Sequence, residues 1–418
     1  MRIPTSAALA ALGGALVLGL TVAPAAQAAP ASADCTTDAF GVAGKYGEFV
    51  LGDDVHSPDA EGAVAVGGNA DFKGGFSVGN ELTAAQVDAL PGRASLVVRG
   101  NLENGGSATV VMKGNAVVGG TVTGRPVDLH NGTFGKKADL IDFDGEFAKL
   151  RSYSDALAKE SATSGATVKL DGNRLTLTGT DTGRNVFPVE AAQLEKAKEV
   201  FVEVPAGATT IVNVTGQTYD MQTAGTTGFF LSGGQDFVLD DKSQSAQDGA
   251  IRAKLLWNFP NATKVVKNSQ AAWPGSVLAP YAHLELGNAA PVNGSVWVAS
   301  LHGSGGAETH HFPFTGCLPE VPGTPKPGTT PSGTPSTTPP ATGTPSASVT
   351  PSGTTAPSAT PSGTTTPGAP APSASPSQPE GDLATTGSGN MIPITVGGAV
   401  VVAAGAGLVV MARRRKRA

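Results

Sequence analysis

Glu61-Gly62-Ala63-Val64-Ala65-Val66-Gly67-Gly68-Asn69 is a short apolar run that stops in glycine and asparagine, and the same kind of unit returns along the chain. Leu96-Val97-Val98-Arg99 leads into Gly100-Asn101, and Val110-Val111-Met112-Lys113 into Gly114-Asn115. Further Gly-Asn pairs stand at Gly79-Asn80, Gly172-Asn173 and Gly287-Asn288. Runs rich in β-branched residues, ending in residues that tolerate left-handed backbone angles, predict strands punctuated by tight turns. Two architectures fit. Gly-Asn is a hairpin signal, which suits a β-sandwich, whereas recurring strand-turn units suit a β-solenoid, or parallel β-helix. Spacings of 11, 21 and 14 residues between the first four asparagines leave both open.

Two stretches break the β pattern. Between Ile141 and Ser161, Phe143, Phe147, Leu150 and Leu157 fall on one helical face behind capping acidic residues, which predicts an amphipathic helix. Glu190 to Lys198, with Ala191, Leu194 and Ala197, is a shorter candidate. Both read as packing elements over an edge or end of the β core. The fold class is therefore all-β with one or two inserted helices. Cys35 and Cys317 are the only cysteines and bracket about 280 residues, enough for one large domain or two intimate ones. In an oxidising compartment they are expected to pair.

The ends point to that compartment. Arg2, an apolar run from Ala7 to Val22 and then Ala26-Gln27-Ala28 make a secretory signal peptide over residues 1–28, cut between Ala28 and Ala29. Residues 319–382 collapse into Pro, Thr, Ser, Gly and Ala, a composition expected to form an extended disordered stalk after the 29–318 β domain. Residues 383–418 then carry Leu383-Ala384-Thr385-Thr386-Gly387, a polar spacer, an apolar span over 391–412 of transmembrane-helix length, and Arg413-Arg414-Arg415-Lys416-Arg417. That order resembles a sortase sorting signal of the LPXTG class, and more closely the LAXTG variant of class E sortases of actinobacteria. The resemblance implies cleavage between Thr386 and Gly387 and transfer of the Thr386 carbonyl to peptidoglycan. The departure from the commoner pattern is Ala384 in place of proline. A retained membrane anchor is the alternative, and both readings put the protein at the cell surface.

With both ends removed, 22 Lys and Arg face 34 Asp and Glu, a formal charge of −12. Such a surface argues against nucleic acid, whose phosphates demand cations, and is compatible with protein or glycan partners.

Several phrases in order resemble the choice-of-anchor A domain of bacterial surface proteins: Phe49-Val50-Leu51-Gly52-Asp53, the opening stretch 61–69, Val212-Asn213-Val214-Thr215-Gly216 and Leu256-Trp257-Asn258-Phe259-Pro260-Asn261-Ala262. Gly275-Ser276-Val277-Leu278-Ala279-Pro280, Asn293-Gly294-Ser295-Val296 and Glu308-Thr309-His310-His311-Phe312-Pro313-Phe314 complete the series. The resemblance covers roughly residues 40–316. It implies an adhesive domain, sometimes described as collagen-binding, on a β-solenoid-like scaffold similar to bacterial ice-binding adhesin domains, and it brings no catalytic residues.

The candidate metal ligands are His302, Glu308 and His310, with His311 beside them, because imidazole and carboxylate bind divalent ions. Hydrogen bonding in a terminal strand is the simpler role, so no metal and no cofactor is assigned. The carboxylate pairs Asp53/Asp54, Asp142/Asp144 and Asp240/Asp241 raise a glycan-active enzyme on a solenoid as the alternative function. Neighbours on a strand face opposite ways, and Asp142/Asp144 read as helix-start residues. Asn213 and Asn293 read as turn residues, and Trp257, Trp273 and Trp297 as core, with Tyr281 a further aromatic able to stack on a ligand. No evenly spaced threonine ladder of the kind that suits ice appears. The expectation is a wall-anchored adhesin for an extracellular protein or glycan, not an enzyme.

Overall fold

The computed structural model describes residues 35–320, apart from Lys242 and Ser304. The signal peptide with Ala26, Ala28 and Ala29, the stalk beyond Glu320, the sorting pentapeptide Leu383 to Gly387 and the apolar span 391–412 all lie outside the described residues. Among the described residues no helix is long and apolar enough to cross a membrane.

Strand pairing decides between the two architectures. Among the described residues antiparallel pairs are confined to Cys35–Thr36 with Leu318–Pro319, Thr167–Asp171 with Arg174–Thr178, and Gly228–Ser232 with Val238–Leu239. The other paired strands run parallel, so the chain coils as a solenoid. A 16-stranded sheet bends to supply two walls, and a 7-stranded sheet supplies the third over much of the stack. At one end a 5-stranded sheet contributes Leu175, Val200, Val202, Phe229 and Leu231 to the same interior as Val212, Trp257 and Val277.

Most Gly-Asn units are coil corners; only Gly172-Asn173 makes a hairpin, between Thr167–Asp171 and Arg174–Thr178. At the corner between the first and second walls the backbones of successive coils stack. Gly68 N–H donates to Gly52 O, Gly100 N–H to Gly68 O and Gly120 N–H to Gly100 O, each at 2.8 Å. A Cβ on Gly100 would lie 2.5 Å from Gly68 O, so the corner admits only glycine. Beside it a side-chain ladder runs along the stack. Asp53 Oδ1 accepts from Asn69 N–H (2.7 Å), Asn69 Oδ1 from Asn101 N–H (3.0 Å), and Asn101 Oδ1 from Thr121 N–H (2.9 Å). These rungs are 16, 32 and 20 residues apart. The long step contains an inserted helix, Ala84–Ala89, with a Thr83/Gln86 capping box. Coil length varies with such insertions, and the Gly-Asn pairs occupy different corners, which is why no fixed period is visible.

The chain enters the stack in its middle. Glu48–Val50, Val64–Val66, Ala94–Val98 and Asn115–Val118 step outward toward one end along the first wall. The chain then crosses over and returns from the other end through Arg184–Glu190, Thr209–Thr215, Leu255–Asn258, Ser276–Gly287 and Val296–Gly303. The last coil docks on the first, pairing Glu48 with Val296, Phe49 with Trp297 and Val50 with Val298. The expected disulfide closes this seam: Cys35 and Cys317 are bonded, with 5.4 Å between their Cα atoms.

The predicted helix forms over Phe143–Ala158, with Asp142 as its N-cap (Gly145 N–H to Oδ1, 3.0 Å) and Asp144 in its first turn. It covers the middle of the first wall rather than an edge or end of the core. Sixteen residues span about 24 Å, or about five strand spacings. Phe143, Phe147, Leu150, Tyr153 and Leu157 cluster with the outward residues of the first wall: Val117, Val97, Ala65, Phe49, Trp297 and Leu278. Two strand asparagines receive its C-terminal turn. Asn258 Nδ2 donates to Ser154 O (3.0 Å) and to Asn213 Oδ1 (2.9 Å), and Asn213 Nδ2 donates to Leu157 O (2.6 Å). Leu157 O, which also accepts from Glu160 N–H (3.1 Å), takes a buried amide as a further donor. Asn213 and Asn293 are thus buried strand residues, correcting their reading as turns. The second predicted helix shrinks to Ala191–Leu194.

Candidate functional site

The three walls differ in what their outer faces meet. The first lies under the helix. The third is covered around Asn293 and His310, where Arg252 sits 3.7 Å over the Phe312 ring and also reaches Asp240 (3.4 Å), which accepts from Asn293 Nδ2 at 2.8 Å. On the second wall every outward residue keeps solvent exposure. Its strands are Val122–Thr123, Leu102–Asn104, Ala70–Phe72, Asp54–Val55, the distal halves of Val296–Gly303 and Ser276–Gly287, Lys264–Val266 and Thr218–Asp220. Eight strands side by side make a face about 34 Å long.

Strand register aligns the outward side chains in two rows. One runs Thr123, Glu103, Asp71, Val55, His302, Glu285, Val266, Asp220. The other continues the corner ladder Thr121, Asn101, Asn69, Asp53 into Ser300, His283, Lys264 and Thr218. One half of the face is acidic and lines a shallow hollow of about 250 Å³ between Asp53, Asp71, Asn101 and Glu103. Lys73 bridges Asp71 (2.8 Å) and Glu103 (2.9 Å), and hydrogen bonds to these carboxylates hold its ammonium above the usual lysine range. The other half carries imidazoles. His302 Nδ1 lies 2.6 Å from Glu285 Oε2, and His283 Nδ1 lies 2.8 Å from Ser300 Oγ. Partial burial pulls His283 below the usual histidine range.

The sequence candidates separate. His302 sits on this face, whereas Glu308 and His310 lie across a corner on the third wall, where Glu61 joins them. His310 Nε2 is 3.5 Å from Glu308 and 3.8 Å from Glu61, and its Nδ1 is 2.8 Å from Asn293 Oδ1. The carboxylate pairs diverge. Asp53 faces solvent and Asp54 the interior; Asp142 caps the helix while Asp144 pairs with Arg99 at 3.1 Å; Asp240 is buried and Asp241 caps its own loop. Trp257, Trp273 and Trp297 are core, and Tyr281 is 39 % exposed with Arg151 5.1 Å over its ring.

Sequence reasoning missed a second cluster, Glu48, Asp54 and His56, inside the solenoid. The available signal was parity: Asp54 and His56 flank the outward Val55 and so point the same way, inward.

Residues 39–311 match the family model described as "Putative Ice-binding-like adhesive domain". Two solved structures are similar. One is an ice-binding protein from an Antarctic Biological Consortium, at 12% identity and TM-score 0.25, covering 65% of this chain and 86% of that one. The other is from the Antarctic ascomycete Antarctomyces psychrotrophicus, at 15% identity and TM-score 0.22, covering 52% of this chain and 90% of that one. Likenesses of that degree carry no weight for fold or function. No curated protein matches the chain.

Proposed function

Because the chain belongs to the ice-binding-like adhesive domain family, we propose that it is a cell-surface adhesin that binds an extracellular protein or glycan along its second wall. The observation that carries this reading is the unbroken solvent exposure of that wall across eight strands, beside a first wall whose middle lies under a helix. The face suits a polar, extended ligand. Apart from Val55 and Val266, its rows repeat hydrogen-bonding groups at the strand spacing of about 4.8 Å, and they carry carboxylates, imidazoles and a lysine where an ice surface would favour regular threonines. A collagen-like protein is the first ligand to try. Attachment follows from the sorting signal: a class E type sortase joins Thr386 to peptidoglycan, with the apolar span 391–412 holding the chain at the membrane only until cleavage.

Solid-phase binding of the secreted protein to collagens, other matrix proteins and glycan arrays tests the face. The double reversal Asp71→Lys with Glu103→Lys should abolish whatever binding the native protein shows, while Lys149→Glu on the helix leaves it intact. Equal binding by all three proteins rules the second wall out. For the anchor, mass spectrometry of muramidase-released wall material should find a C-terminal peptide ending at Thr386 linked to peptidoglycan; a peptide ending at Ala418 rules sortase transfer out.

A further inference from the structure

Glu48, Asp54 and His56 come from the first coil and lie inside the solenoid at 0 %, 0 % and 2 % exposure. One ligand atom from each falls within 4.8 Å of the others. Among the described residues neither oxygen of Asp54 nor Oε2 of Glu48 has a hydrogen-bond partner. Buried carboxylate oxygens are costly without one, and two carboxylates side by side are costlier.

The partners that do exist come from the last coil and orient the cluster. Thr309 Oγ1 donates to Glu48 Oε1 at 2.7 Å, and His56 Nε2 lies 3.2 Å from Ala307 O. A carbonyl only accepts, so Nε2 carries the proton and a neutral His56 presents the lone pair of Nδ1 to the cluster. That Nδ1 is 3.3 Å from Glu48 Oε1. Two lone pairs at this separation need a proton or a cation between them. Two ligands bound to zinc at about 2.0–2.1 Å and disposed tetrahedrally stand about 3.3 Å apart.

We propose that Glu48, Asp54 and His56 bind a divalent transition-metal ion, zinc by their donor set, that ties the first coil of the solenoid to the last. A proton shared between His56 and Glu48 Oε1 would leave both Asp54 oxygens and Glu48 Oε2 without a partner, whereas a divalent ion with neutral His56 reaches all three residues and balances both carboxylates. One imidazole nitrogen among carboxylate oxygens favours zinc or its neighbours over calcium, which takes oxygen ligands. Thr309 and Ala307 act as orienting partners that fix the carboxylate and the tautomer.

The secreted protein, disulfide intact, is unfolded in guanidinium and refolded with either zinc or chelator, then desalted. Elemental analysis should give about one zinc per chain after the first treatment, and the zinc-refolded protein should melt at higher temperature. Asp54→Asn, which keeps the shape and removes the charge, should lose both the bound zinc and the difference in melting temperature. The outward-facing Asp53→Asn should keep both. Zinc below about a tenth per chain in the native protein, with identical melting after both treatments, overturns the proposal whether or not Asp54→Asn folds. Full zinc retention by a folded Asp54→Asn, or calcium bound in place of zinc, overturns it equally.

Discussion

Cys35 and Cys317 are separated by 282 residues, and the double variant Cys35→Ser/Cys317→Ser isolates what their bond does. Closing a loop of that length in the unfolded chain corresponds to about 19 cal/mol/K, or about 5–6 kcal/mol at 25 °C, on the chain-entropy treatment. The strands Cys35–Thr36 and Leu318–Pro319 pair beside it, and Leu318 is buried in the cluster under the helix. The native state of the variant should therefore keep the seam, and the loss should come from a freer unfolded chain. Urea unfolding of native and variant proteins reads both consequences. Stability should fall by about 3–5 kcal/mol, since measured losses run below the entropic figure, and the urea slope should rise because the open chain exposes more surface. A loss below about 1 kcal/mol with an unchanged slope would refute the reasoning, since it would mean that the seam stays closed in the denatured ensemble.

Gly68→Ala would place a methyl 2.6 Å from Gly52 O at the stacked corner and should cost about 1–3 kcal/mol, whereas Gly106→Ala, with nothing within 4 Å, should stay within about 0.5 kcal/mol; thermal melts compare them. Asn213→Ala cuts the Leu157 carbonyl's link to the wall and takes an acceptor from the buried Asn258 amide, and should cost about 1–3 kcal/mol in urea unfolding, with helix amides losing exchange protection first. Burial pulls Lys267 down to about 7 from 10.5. Between these values the unfolded chain binds a proton that the folded chain does not, so stability should rise with pH across this window, by up to about 1.4 kcal/mol per unit. Lys267→Met should remove that rise, and equal pH slopes for the two proteins would show that Lys267 keeps its charge when folded.

How much of this was legible depended on whether one coil sufficed to decide it. Ala63-Val64-Ala65-Val66 is continuously apolar because both of its sides are buried, Val64 and Val66 in the solenoid and Ala65 under the helix. Ala70-Asp71-Phe72, one corner later, alternates because its wall meets water. The two patterns were present in the sequence and distinguish a covered wall from an open one. The helix was legible from its spacing, to within a few residues of Phe143–Ala158. Asn213 and Asn258 were not, because their partners Leu157 and Ser154 belong to an element that arrives from elsewhere in the chain. His302 and Glu308 are close in sequence, yet a coil corner puts them on different walls.

The seam was the least legible feature, and its position explains what is concentrated there. Within each half of the stack, neighbouring coils are mostly consecutive in the chain, so their pairing closes short loops at small entropic cost. At the seam Glu48–Val50 and Asp54–Val55 pair with Val296–Gly303, Ala60 with Thr309, and Cys35–Thr36 with Leu318–Pro319, joining coils from opposite ends of the domain, where chain continuity helps least. That is where the disulfide, the Trp297 ring on Phe40 (4.5 Å) and the buried Glu48–Thr309 hydrogen bond all occur, and where the proposed cation would sit. Leu318 is buried among residues that pack under the helix, around a corner from the second wall, so the seam's last strand leaves the polar rows of that wall uncovered.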